Sequence, residues 1–181
     1  MERAPGIRLR SSPWRRLDAG GRAVFPALST AAMLLALSTP LGLPGQGTLR
    51  PALALAGVFF WSLHRPRSMP PLAGFMLGLL TDLLGQAPIG VGIVALLAAQ
   101  AIALHWRRGL LRADFLVQFF AFCGVALLFA AIIWSLDSLF ALTVLPPGPV
   151  FFLAALSAGC YPVLALFLLV AHHGLADPEQ A

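Results

Sequence analysis

The chain has 181 residues, of which 59% are hydrophobic and 10% charged, with a mean hydropathy of +0.87. Water-soluble domains carry about 25% charged residues, so this composition excludes an ordinary soluble globular domain, and the length suits a single domain. The net charge of +5 comes with twelve basic residues, all arginine, in an N-terminal segment and short loops; they form no basic face with interleaved aromatics, which excludes nucleic acid as partner and points to the lipid bilayer.

Residues 1–22 read as a basic cytoplasmic N-terminal tail, rich in Gly, Pro, Ser and Arg. The first apolar span follows at 23–41. Ala36 and Ser38 have the small side chains of a signal-peptide cleavage site, but the run is long for a signal core. A Gly/Pro turn is expected at 42–47. The second span runs from Leu49 to Leu63, with Pro51 placed in its first turn, where a missing N–H is harmless. The basic loop HRPRSMPP leads to a third span, Leu72 to Ala87. A tight turn at Pro88 and Gly90 opens the fourth span, Ile89 to Trp106. After the loop RRGLLRAD comes the fifth, Phe115 to Leu139. PPGP at 146–149 is a turn, and the sixth span covers Val150 to Ala171, with Pro162 expected to kink it. Residues 172–181 form a cytoplasmic C-terminal tail.

Arginine placement sets the orientation. Six arginines precede the first span, Arg65 and Arg67 follow the second, and Arg107, Arg108 and Arg112 follow the fourth; only Arg50 falls on the opposite side. The positive-inside rule makes the arginine-rich side cytoplasmic. The expected fold class is an all-α integral membrane protein with six transmembrane helices over residues 23–171 and both termini in the cytoplasm. Trp61 and Trp106, beside arginines, read as interface anchors, and Trp134 as lying near the outer interface.

The third span carries Asp82, in GFMLGLLTDLLGQAPIG at 74–90. A carboxylate inside an apolar span costs about 2.5–3.5 kcal/mol on insertion scales. If the helix continues from Arg67, Asp82 lies about 22 Å along it, past the bilayer midplane. Gly74, Gly78 and Asp82 are spaced by four and share a helix face, a small-residue stripe that permits close packing. Its expected counterpart on the fourth span is Gly92, Ala95, Ala99 and Ala103. Two readings of Asp82 stay open: a site that holds an ion, proton or ligand, and a hydrogen bond that packs helices or meets water near the outer surface. General acid–base chemistry needs a second group, and none lies nearby in sequence. Asp137 reads as a solvated acid at the outer interface.

Gln100 and Gln118 read as hydrogen-bonding across helices. His64, His105, His172 and His173 read as interface histidines rather than metal ligands, and Cys123 and Cys160 as small apolar groups within their spans. GVG at 90–92 lacks the lysine and preceding strand of a nucleotide loop. No catalytic constellation, cofactor site or metal site is expected.

The order of these features resembles the rod shape-determining protein MreD family, over about Leu49 to Ala171. The resemblance rests on GFMLGLLTDLLGQAPIGVG, which is similar to that family's Gly-x-x-x-Gly-x-x-x-Asp-Leu and following turn, on LRP at 49–51 and the HRPR end of the second span, and on GCYP at 159–162. It implies a non-catalytic scaffold of the cell-wall elongation complex in the bacterial inner membrane. The implied partners are the bitopic protein MreC, the glycosyltransferase RodA with its partner transpeptidase, and MreB filaments. It also implies a fold similar to the substrate-binding S-components of energy-coupling-factor vitamin transporters. Carried over by motif, Gly74, Gly78, Asp82, Gly90 and Pro162 take packing or interaction roles. The alternative is a small-molecule-binding membrane subunit of a transporter, with Asp82 holding the ligand. An intramembrane enzyme would need a second polar residue close to Asp82.

Overall fold

The computed structural model describes the backbone at residues 13–38, 45–85 and 87–176, with side chains at 24–38, 45–85 and 87–168. Every regular element among these residues is helical: α1 (Pro13–Ala36), α2 (Gln46–His64), α3 (Pro71–Leu84), α4 (Val91–Leu110), α5 (Phe115–Ala141) and α6 (Gly148–Ala176), with one 3-10 turn at Pro66–Ser68. Helix α1 starts inside the segment read as tail; residues 1–12, the C-terminal 177–181 and the 42–44 part of the expected Gly/Pro turn lie outside the described residues.

Helix α2 is the axis of the bundle. Its residues Ala52 to Leu63 are buried without interruption, because α1, α4 and α6 all pack on it. On the α1 side the approach is close: a Cβ on Gly57 would stand 2.7 Å from Thr30 Cγ2. On the α5–α6 side an aromatic group fills the contact. The rings of Phe122 and Tyr161 stack at 4.0 Å, and Phe59 meets both edge-on, at 5.1 and 5.7 Å. Trp61, expected at the membrane interface, is fully buried, edge-on to Phe25 at 5.9 Å. An indole next to arginine in sequence faces whichever side its helix register dictates, and in α2 every side is covered. Trp106 does stand at the surface.

Helix α2 begins at Gln46, three residues before the expected start, so Pro51 sits in the second turn. It cannot donate to the carbonyl four residues back, that of Gly47. Helix α6 runs through Pro162 as one element.

Helices α5 and α6 are long and apolar enough to cross a membrane. Only 28% and 33% of their most apolar windows are buried within the protein, so neither is a shielded core helix. Their outer faces carry Leu116, Phe120, Phe151, Val163, Leu166 and Phe167, each more than half exposed. An apolar surface of that extent suits lipid or another protein rather than water. Helix α3, with 14 residues, rises about 21 Å, while the 27 residues of α5 rise about 40 Å. That difference leaves a recess at the end of the bundle where α3 stops.

Candidate functional site

The site is built on the α3–α4 hairpin, the most extensive helix pair in the fold. The glycines of α3 make it possible. A Cβ on Gly78 would lie 2.6 Å from the Ile93 Cα. One on Gly74 would run into the Gln100 side-chain oxygen, and one on Gly92 into Asp82 Oδ1. Facing them, Gly92, Ala95, Ala99 and Ala103 are all buried, as the spacing predicts. The stripe is therefore occupied by α4 of the same chain and is not a lipid-facing groove open to a partner's helix.

Asp82, 5% exposed, lies in the last turn of α3 and closes the start of α4. Its Oδ2 accepts the Gly90 N–H at 2.8 Å and the Ile93 N–H at 3.4 Å, and its Oδ1 accepts the Gly92 N–H at 2.8 Å. The first N–H groups of a helix have no partner within it and carry the positive end of its dipole. A carboxylate from the neighbouring helix satisfies both needs, and this is how an acid is tolerated there. Gly90, the N-cap residue, has φ +112°. That left-handed conformation suits glycine, and it belongs to the turn that delivers these N–H groups to Asp82. Helix α4 thus starts at Val91, two residues later than expected.

Two arginines do the converse work at helix C-termini. Arg50 donates through Nη1 to the Leu84 carbonyl at the end of α3 and through Nε to the Leu37 carbonyl just past α1, at 3.4 Å. At the other end of the bundle, Arg107 Nε donates to the Leu63 carbonyl of α2 at 2.6 Å. A cation near a C-terminus meets unsatisfied carbonyls and the negative dipole end. Arg50, the one arginine on the opposite side by sequence, is there as a clasp of two helix ends.

A cavity of about 700 Å³ fills the recess above α3. Among its walls are Arg50, Asp82, Trp134, Asp137, Pro146 and Pro149. Trp134 is held by its Nε1, which donates to the Leu145 carbonyl at 3.0 Å. Asp137 Oδ1 is buried and accepts no hydrogen bond. Asp137 is therefore a cavity residue, not merely a solvated interface acid. Position does carry a trace of this: Ala130, Ile133, Trp134 and Asp137 fall three or four apart, on one face of α5.

Pro162 lies elsewhere, in a smaller groove of about 350 Å³ with Phe60, His64, Gln118 and Tyr161. It does not join Gly74, Gly78, Asp82 and Gly90. Gln100 of α4 donates not to another helix but to the Met69 carbonyl in the connection that leads into α3, at 2.9 Å. Gln118 of α5 does cross between helices, donating to the Leu110 carbonyl at the end of α4 at 3.0 Å. His64 stacks on Phe60 at 4.2 Å and His105 is exposed; the side chains of His172 and His173 lie outside those described. Among the described residues no three metal-ligating side chains gather, and Cys123 and Cys160 are free thiols. No family model, no curated protein and no solved structure matches the chain.

Proposed function

We propose that this protein is a six-span, non-catalytic scaffold of the bacterial inner membrane, acting in side-wall elongation as MreD-like proteins do. Its partners would be the bitopic protein MreC, RodA with its transpeptidase, and through them MreB filaments. The observation that carries this reading is the use made of Asp82. Both carboxylate oxygens of the Gly-x-x-x-Gly-x-x-x-Asp motif accept backbone N–H groups of α4, so the motif's work is to build a rigid hairpin. The bulky apolar faces of α5 and α6 offer contact area within the bilayer, where packing drives helix association. Arg65, Arg67, Arg107, Arg108 and Arg112 lie near the two connections at one end, which supports an orientation with that end in the cytoplasm.

The test is cross-linking of the tagged protein in native membranes. Recovery of a bitopic coiled-coil protein with peptidoglycan synthases supports the scaffold. Recovery of cytoplasmic ATPases with a coupling membrane subunit overturns it in favour of a transporter's small-molecule-binding subunit. The cavity beside Asp82 is the observation favouring that second reading.

A further inference from the structure

The cavity above α3 has three charged residues in its walls, and they are not equivalent. Asp82 is neutralised by the N-terminal amides of α4. Arg50 directs its Nε and Nη1 at backbone carbonyls. Each therefore sits on the end of a helix whose dipole opposes its charge. Asp137 has no such arrangement: no group among the described residues donates to its buried Oδ1. Asp137 as a whole is only partly buried and lines the cavity, so its negative charge stands there with no cation and no helix N-terminus among the described residues set against it.

The volume of about 700 Å³ falls within the roughly 300–1,000 Å³ of small-molecule sites, which combine apolar walls with a few placed polar groups. Here the walls include Pro146, Pro149, Val150 and Leu153. Trp134, one turn before Asp137, forms part of the same wall, with its indole fixed by Leu145. An anionic group beside an indole suits a cation with an apolar body. Two aspartates and one arginine leave the cavity one negative charge in excess.

We propose that this cavity binds a small organic monocation, with its ammonium group on Asp137 and its apolar part against Trp134. The site stands on the cavity alone, whichever complex the protein joins.

The experiment is calorimetric titration of the full-length protein in lipid nanodiscs with benzylammonium, and with benzyl alcohol and benzoate as neutral and anionic counterparts of similar shape. Saturable binding of benzylammonium alone is the expected result. Asp137→Asn should weaken it about tenfold or more, the effect of losing a charge-assisted hydrogen bond, and Asp137→Glu should weaken it less. The charge series needs no variant, so it decides even if Asp137→Asn does not fold. Equal binding of benzyl alcohol, preference for benzoate, an unchanged Asp137→Asn, or no saturable binding overturns the site. Recovery of partners from native membranes is a separate readout, so failure of one proposal leaves the other testable.

Discussion

Asp82 and Gly92 occupy a single space: the Gly92 N–H reaches Asp82 Oδ1 at 2.8 Å, and a side chain on residue 92 would collide with that same oxygen. A carboxylate on one helix and a missing Cβ on the next are two halves of one device. It ends α3, starts α4 and fixes the angle between them.

Asp82→Ala should therefore destabilise the protein by about 3 kcal/mol, since buried N–H groups lose a charged acceptor. Asp82→Asn keeps one acceptor oxygen and should lose about half as much. Thermal unfolding in detergent measures both. If the Asn variant keeps the wild-type's partners once folded, Asp82 carries no proton or ion in this protein's work.

Glycine substitutions should divide sharply by position. Gly78→Ala drives a methyl to 2.6 Å from backbone of α4, an overpacking that costs about 1–3 kcal/mol. Around Gly124 and Gly159, in α5 and α6, there is nothing within 4 Å of an added Cβ. Alanine there should stabilise by about 0.5 kcal/mol through helix propensity. The same unfolding assay ranks all three variants.

Much of the hairpin was legible in advance. Small residues at spacings of three and four on both helices predict which faces meet, and Gly74, Gly78, Gly92, Ala95, Ala99 and Ala103 obey. The acceptor role of Asp82 was not legible, because it depends on the left-handed turn at Gly90 and on α4 starting at Val91. Trp61 misled because arginines nearby in sequence say nothing about what covers a helix. Arg50 was visible as an exception to the charge pattern, but its reason lies in two carbonyls 13 and 34 residues away. The cavity was invisible, since five of the helices and two connections contribute to its wall.

Arg50→Ala should lower stability by about 2 kcal/mol, as the ends of α1 and α3 lose charge-assisted bonds. Arg50→Lys should recover only part of this, because an ammonium lacks the guanidinium fork that reaches two carbonyls at once. Hydrogen exchange should show the loss at the last turns of α1 and α3 rather than across the bundle.

Cysteine labelling tests the six-span arrangement. In a background with Cys123→Ala and Cys160→Ala, Ile89→Cys and Leu142→Cys should react with an impermeant maleimide in spheroplasts; both positions are well exposed. Arg67→Cys and Arg112→Cys, also exposed, should react only after permeabilisation. Labelling of all four from one side would sink the orientation.

The unbroken burial of α2 from Ala52 to Leu63 sets a schedule for biogenesis. This helix is made second, yet much of its cover comes from α4 and, last of all, α6. Until the final helix leaves the ribosome, the axis of the bundle has an open flank. A chain cut short before Gly148 would expose that flank to lipid and to quality-control proteases. The order of synthesis thus makes completion of the last helix the step that closes the fold.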